Sequence, residues 1–417
     1  MKPGNYAAIA LLLVTMFFER LGYYGFRGTV VLRLLQEQAV PAASVSTLMM
    51  VGSALLILGG LLGAGLSVVT RHRFALLGSV LAFTAAHGLG AFSPRLGLLG
   101  VSLLAGLVRP LLYVSLAEEL DREARVWKAV VVASLVAFVT NLGAALGGFT
   151  GPLEHSRMGS HALPVVALLL ALVCVAVVAF ALPGQPFRWE SGDSVRVAPG
   201  LGGLYRPEPT VHRDLRGPDP LVLLLVGFAA VLSACEQSVH SHALFSVLGS
   251  SGGGSWLSGL TASLISPLIA CSVSVLLGAL GALLASQRSP WSPTWILGGG
   301  LLSLALGALV MAAGVAGTSP GIAMLSALLD GLGGGLFLPV ATAYVLATLS
   351  SRWAGLASVG YSMVLYVPGL FLNLIIRHLT SALPVVLVAF GLLTVAGAVA
   401  AFVLGPRLHS PRDIAKN

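Results

Sequence analysis

Residues 17–28 read FFERLGYYGFRG and lie inside an apolar run that covers residues 6–35. The run is long enough to cross a hydrocarbon core of about 30 Å as a helix. It nevertheless contains Glu19, Arg20 and Arg27, and each charge at that depth costs at least about 2.5–3.5 kcal/mol on insertion scales. Charges that are this unfavourable in lipid indicate a partner or a water-filled path inside the membrane.

The rest of the chain has the same apolar character. Of its 417 residues, 57% are hydrophobic and only 9% are charged, and the mean hydropathy is +0.95. Apolar runs of about 20 residues recur along the whole length and do not alternate with polar residues, which favours helices over a barrel. This pattern excludes a soluble globular domain and predicts an all-α membrane protein.

The apolar runs predict twelve transmembrane helices in two halves of six. We place them at residues 6–35, 44–69, 74–92, 96–117, 129–152, 162–183, 220–247, 257–286, 293–315, 319–349, 355–376 and 383–404. A polar segment rich in Pro, Gly and Arg separates the halves. The predicted organisation is a six-helix bundle over 1–183, a cytoplasmic linker over 184–219, and a second bundle with a short tail over 220–417. Transporters with this layout bind substrate near the bilayer midplane.

The loop charges predict the orientation. With the N-terminus inside, sixteen of the 23 Lys and Arg residues fall in cytoplasmic segments. Only Arg95, Arg157 and Arg377 fall on the opposite side, as the positive-inside rule requires. We therefore expect a multi-pass protein of the inner (plasma) membrane with both termini in the cytoplasm. The net charge of +8 then reflects topology, and we expect no nucleic-acid partner.

The buried ionisable groups lie on helix faces that can share one interior. On a helix that turns about 100° per residue, Met16, Glu19, Arg20, Tyr23, Tyr24 and Arg27 fall within about 140° of arc. On the seventh predicted span, Glu236 shares a face with Gln237 and His240. Arg109 lies within the fourth predicted span and Asp330 within the tenth.

These groups suit proton-coupled binding of an anion. Arg20, Arg27 and Arg109 exceed Glu19 and Glu236 by one charge, and the arginine fork fits a carboxylate. Nearby arginines favour a charged glutamate, whereas loss of water favours a protonated one, so protonation can change as a cavity opens or closes. His240 is a candidate proton relay. The alternative is that the charges form structural ion pairs that lock helices together.

Four motifs resemble the proton-dependent oligopeptide transporter family, within the major facilitator superfamily. ERLGYYGFRG (19–28) is similar to the family's first-helix signature E-x-x-E-R-F-x-Y-Y-G-M-R. GLVRPLLYVS (106–115) resembles its fourth-helix G-x-x-K-P-x-x-S, with arginine in place of lysine. VTNLGAALGG (139–148) and ACEQS (234–238) resemble its fifth-helix and seventh-helix motifs. The four occur in the family's order along the chain.

The resemblance implies a role for each matching residue. Glu19, Arg20 and Arg109 belong to a proton-sensitive cluster, and Arg27 pairs with Glu236 in a gate that protonation of the glutamate releases. The residues implied in substrate binding are Tyr23, Tyr24, Arg27 and Asn141, of which Arg27 also holds a substrate carboxylate.

The chain also departs from the family pattern. Met16 replaces its first glutamate, Ser266 stands where an asparagine is expected in the substrate site, and Gly334 replaces the tenth-helix glutamate that holds a peptide's amino terminus. Asp330 lies one helical turn before Gly334 and is a candidate replacement. The alternative is that Asp330 is solvated near the end of its helix.

We therefore expect a proton-coupled symporter of short peptides or related carboxylate-bearing solutes. Its expected partners are the solute, protons and the lipid bilayer, and we expect a monomer with no cofactor and no metal. A transporter or exporter of a non-peptide anionic metabolite, and a non-transporting membrane protein on a transporter fold, stay open. An enzyme is not expected, because the loops hold no clustered nucleophile, metal ligands or phosphate loop.

Overall fold

The computed structural model describes residues 3–34, 38–69, 72–119, 126–158, 256–286, 294–348 and 382–408, together with Phe228, Val231 and Ala243. Within these residues the regular elements are helices. They are α1 (Pro3–Leu32), α2 (Ala42–Val69), α3 (His72–Phe92), α4 (Pro94–Glu119), α5 (Val126–Met158), α6 (Trp256–Ser286), α7 (Thr294–Ala316), α8 (Pro320–Thr348) and α9 (Leu383–Leu408).

These helices fall on predicted spans with closely similar bounds. The exceptions are the C-terminal ends of α5 and α9, which continue past the predicted spans to Met158 and Leu408. Hydropathy marks the part of a helix that lipid surrounds, whereas backbone hydrogen bonding continues into the polar interface. The predicted spans 162–183 and 355–376 lie outside the described residues, and of 220–247 only Phe228, Val231 and Ala243 are described, so the total of twelve stays a prediction. The predicted domain boundaries at 183/184 and 219/220 lie outside them as well.

The described helices are those of a multi-pass membrane protein. Seven of them are long and apolar enough to cross a bilayer, and shorter apolar stretches occur at Ala75–Gly90 and Leu268–Leu283. Large apolar side chains such as Phe92, Leu276 and Val385 are exposed. Such a surface is suited to contact with lipid.

Two of the helices begin at a Ser-Pro pair. Ser93 precedes Pro94 at the start of α4, and Ser319 precedes Pro320 at the start of α8. Serine is favoured just before a helix, and proline is favoured at its first position because that backbone nitrogen needs no partner. The first turns are closed by hydrogen bonds from the Gly97 nitrogen to the Ser93 carbonyl, at 2.8 Å, and from the Ala323 nitrogen to the Ser319 carbonyl, at 3.1 Å.

The described residues form two compact units. The first contains α1–α4 and the end of α5 from Leu146. In this unit α4 packs against α1, α2 and α3. The α2–α4 contact is made by backbone: a Cβ at Gly59 would overlap the Leu103 carbonyl oxygen, and a Cβ at Gly106 would overlap the Leu56 carbonyl oxygen. The glycine-rich stretch 59–65 therefore permits close helix packing, as small residues do in membranes.

The second unit contains the start of α5, up to Ala145, and α6–α9. Here α7 packs against α8 and α9, while α8 also packs against α6. Pro339 interrupts α8 and cannot donate to the carbonyl of Gly335, four residues earlier. The Ser274 hydroxyl of α6 lies 3.5 Å from that carbonyl oxygen and donates a long hydrogen bond to it. A neighbouring helix thus supplies the donor that the proline removes.

Candidate functional site

The polar face of α1 has a buried edge and a partly exposed edge. Met16, Glu19 and Tyr23 are at most 5% exposed. Arg20, Tyr24 and Arg27 are partly exposed and follow one another at helical spacing. Of the charged residues of α1, Glu19 is therefore packed against neighbouring helices, whereas Arg20 and Arg27 are partly accessible to solvent.

The buried edge carries an ion pair between α1 and α4. Arg109 Nε donates a hydrogen bond to Glu19 Oε1 at 3.1 Å, and the two side chains are 6% and 4% exposed. Breaking such a buried pair by removing one partner leaves an uncompensated charge in a low-dielectric environment. The pair therefore fixes α4 against α1 for as long as both groups are charged.

Two further residues of α1 complete the cluster around this pair. Arg20 Nε lies 3.5 Å from Glu19 Oε2, so the carboxylate is shared between two guanidinium groups. The Arg109 guanidinium carbon lies 5.0 Å from the centroid of the Tyr23 ring, a cation–π distance. The Tyr23 ring in turn meets Tyr24 edge-on at 5.1 Å. We call Glu19, Arg20, Tyr23 and Arg109 the Glu19 cluster.

Close packing at Gly25 and Phe26, which follow the cluster residues along α1, holds this helix in register with its neighbours. The ring of Phe26, 1% exposed, occupies the space where a Cβ on Gly90 of α3 would lie, and a Cβ on Gly97 of α4 would overlap the Gly90 backbone and lie 3.0 Å from the same ring. On another side of α1, a Cβ at Gly147 of α5 would lie 2.9 Å from the Gly25 backbone nitrogen. Because these glycines have no side chain, α1 packs closely against α3, α4 and α5, and Glu19 lies within hydrogen-bond distance of Arg109.

Sequence reasoning missed one ionisable residue beside the cluster. His87 of α3 is fully buried and packs against α1 at Gly22 and Phe26. Its signal in the sequence is weak, because a single histidine within an apolar span is usually a hydrogen-bonded core residue. Its position next to Glu19 depends on how α3 packs against α1, which the spacing of residues within one helix does not reveal.

The other predicted site residues are distributed as follows. Arg27 is partly exposed on α1. Asn141 and Asp330 belong to the second unit, where the Asn141 amide nitrogen donates to the Ala137 carbonyl of its own helix at 2.9 Å. Glu236, His240 and the side chain of Ser266 lie outside the described residues, so the Arg27–Glu236 gate and the His240 relay stay predictions.

Asp330 is buried in α8, at 9% exposure, which does not fit the alternative that it is solvated. A Cβ on Gly307 of α7 would lie 3.4 Å from the Asp330 backbone nitrogen, so this part of α8 packs closely on α7. The position of Gly334, one turn further along, is buried as well.

Comparison with known proteins identifies the fold. The chain is similar to a peptide transporter named POT, crystallised in complex with sulfate, with a TM-score of 0.66 and 16% identity over 96% of this chain and 94% of that one. It is also similar to the human organic anion transporter MFSD10 (TETRAN), with a TM-score of 0.62 and 16% identity over 98% of both chains. No protein-family model matches the sequence, and no match is found among curated proteins.

The chain therefore has the fold of these two transporters. The predicted resemblance to the peptide transporter family is confirmed at the level of fold, because both similarities extend over nearly the whole chain. An identity of 16% does not carry substrate or coupling from those proteins to this one.

Proposed function

We propose that this protein is a proton-coupled secondary transporter of short peptides or related carboxylate-bearing solutes, working by alternating access. The observation that carries the proposal is the buried Glu19 carboxylate held between Arg109, at 3.1 Å, and Arg20, at 3.5 Å. The carboxylate carries the negative charge of a contact between α1 and α4. A proton can therefore change the strength of a contact between two helices.

Proton binding to Glu19 would release α4 from α1. The neutral acid keeps a hydrogen bond to Arg109 but loses the charge attraction, which is strong in a low-dielectric environment. Two predicted halves that open alternately to either side of the membrane need contacts that strengthen in one state and weaken in the other. The Glu19–Arg109 pair would be such a contact within the first predicted half, and the predicted Arg27–Glu236 pair would be one between the two halves.

The arginines support a carboxylate-bearing solute. Arg20, Arg27 and Arg109 exceed Glu19 and Glu236 by one positive charge when both glutamates are ionised. Arg27 is partly exposed on α1, and an arginine beside lipid would be strongly unfavourable, so we assign it to a water-filled path. There its guanidinium would bind a carboxylate, with Tyr24 beside it.

A gradient-driven uptake assay tests this function. The purified protein is reconstituted into liposomes, and uptake of labelled di-alanine is measured with acid outside and at equal pH on both sides. Acid outside should increase uptake, whereas equal uptake under both conditions would contradict proton coupling. Glu236→Gln should abolish the stimulation, while a protein with a purely structural or partner role would tolerate that change.

A second candidate is a transporter or exporter of a non-peptide organic anion. It is favoured by Met16 and Gly334, where the resemblance implies acidic residues, and by the fold shared with an organic anion transporter. Thermal-shift measurements with di-alanine, monocarboxylates and dicarboxylates distinguish the two. Stabilisation by a dicarboxylate but not by di-alanine supports this second candidate, and stabilisation by cationic or neutral solutes alone would contradict both.

A further inference from the structure

His87 is a fully buried ionisable residue beside the Glu19 cluster. Its side chain is 0% exposed. The imidazole ring meets the Phe83 ring edge-on at 4.4 Å and the Phe26 ring of α1 edge-on at 5.0 Å. Two aromatic rings thus fix its orientation at the contact between α3 and α1.

One hydrogen bond determines which nitrogen of the neutral ring carries the hydrogen. His87 Nδ1 lies 2.8 Å from the backbone carbonyl oxygen of Phe83. A carbonyl oxygen only accepts hydrogen bonds, so Nδ1 carries the hydrogen and Nε2 carries the lone pair. Nε2 is buried and makes no hydrogen bond to the described residues, although the Gly22 carbonyl lies near enough to interact with a proton there. A phenylalanine would fill the same space without burying a polar atom, whereas His87 buries an acceptor, Nε2, that has no donor among the described residues.

Burial opposes a positive charge on the ring, whereas the Gly22 carbonyl and the Glu19 carboxylate of α1 favour one. A Cβ on Gly22 would lie 3.5 Å from Nε2, so this nitrogen faces the backbone of α1 three residues after Glu19. The Glu19 carboxylate acts electrostatically on the ring. On α4 the buried charged group is Arg109, which binds the same carboxylate.

The other charged residues nearby do not change this balance. The residues of α2, Ala42–Val69, include no ionisable side chain. On α3 itself, His72 and Arg73 stand at the first turn, roughly 20 Å from His87 at 1.5 Å per residue. In the part of the chain that the structure describes, Glu19 is thus the negative charge that would face a protonated His87, and Arg20 and Arg109 already bind its carboxylate.

We propose that His87 binds a proton at Nε2 during the transport cycle and that the resulting imidazolium competes with Arg109 for the Glu19 carboxylate. This inference rests on the proposed function. The proton comes from water and returns to water, so only an N–H bond forms and breaks. A proton on His87 would loosen the contact between α1 and α4 while Glu19 stays charged, which gives the cluster two proton-binding groups.

Uptake by a His87→Asn variant tests the proposal. The asparagine amide can still donate to the Phe83 carbonyl, whereas the proton acceptor at Nε2 is gone. Gradient-driven uptake should fall about tenfold, within the usual range of coupling between two sites, and its pH profile should flatten. His72→Asn, at the first turn of the same helix, is the matched control. If acid outside stimulates uptake by the wild type and the pH profile of His87→Asn is unchanged, the proposal for His87 is overturned and the proposed function stands.

Nitrogen NMR on the histidine-labelled full chain tests proton binding without transport. Gly22→Ala, which adds a methyl group in ordinary contact with Nε2, identifies the His87 signal even if His87→Asn fails to fold. The signal should change from the neutral Nδ1–H form to the imidazolium as the pH falls, and Glu19→Gln should shift this change to lower pH. A ring that stays neutral wherever the protein is folded, or that titrates identically in Glu19→Gln, would contradict the proposal whether or not uptake is proton-driven.

Discussion

Arg109 of α4 donates to Glu19 of α1 through Nε at 3.1 Å, and both residues are buried. The two residues are 90 positions apart in the chain, so their contact depends on the packing of two helices. Protonation of Glu19 would change the force between the two helices, which is the basis of the proposed coupling.

Neutralising one member of the pair should destabilise the protein. Glu19→Gln or Arg109→Gln alone leaves the other charge buried, and we expect each to lower the free energy of unfolding by about 3–5 kcal/mol. The double variant removes both charges and should recover part of that loss. Apparent Tm values in detergent measure the three effects.

Arg95→Gln is the matched control for these variants. Arg95 lies on the same helix as Arg109 and is exposed, so its replacement should leave the apparent Tm nearly unchanged. Additive losses in the double variant would show that the two charges do not interact.

Lysine at position 109 should preserve transport at lower stability. Arg109→Lys keeps a positive charge opposite Glu19 but loses the planar group over Tyr23, and we expect a loss of about 2 kcal/mol. Gradient-driven uptake should persist in this variant and disappear in Arg109→Gln, because coupling requires the charge. If lysine abolishes uptake as fully as glutamine does, the guanidinium geometry and not the charge is essential.

The sequence predicts the helices and the polar face of α1 well, because both follow from periodicities within one segment. The unfavourable energy of a charge in lipid correctly predicts that Arg109 is turned inward. The resemblance implies that Glu19 is the partner of Arg109. It does not imply that Arg109 stacks on Tyr23 or that His87 lies beside the cluster. Both depend on the close approach of α1 to α3 and α4, and that approach is set by tertiary packing around Phe26, Gly90 and Gly97.

Adding a methyl group between α2 and α4 should disrupt the first unit. In Gly59→Ala the new carbon would overlap the Leu103 carbonyl and lie 3.0 Å from the Leu107 nitrogen, both of them backbone atoms that cannot rotate away. We expect a loss of about 3 kcal/mol, at the upper end of the range for overpacking. Gly65→Ala on the same helix meets nothing within 4 Å and should leave the apparent Tm unchanged or slightly raised. Equal effects of the two changes would show that the close contact is not required.

If Asp330 replaces the missing acidic residue at Gly334, it should recognise a substrate ammonium group. Wild-type protein should then be stabilised more by di-alanine than by N-acetyl-di-alanine, which lacks the positive charge. Asp330→Asn should remove this difference, and thermal-shift titrations with both compounds measure it. A preference for di-alanine that persists in Asp330→Asn would exclude the aspartate from substrate binding.

The most direct test of the central claim is proton entry measured during transport. Liposomes that contain the protein and a pH-sensitive dye are mixed with di-alanine at equal starting pH, with the membrane potential held negative inside. Wild-type protein should acidify the interior only when di-alanine is present, and Glu19→Gln should abolish the acidification. The account is contradicted if di-alanine enters without protons, or if Glu19→Gln acidifies the interior as fast as the wild type.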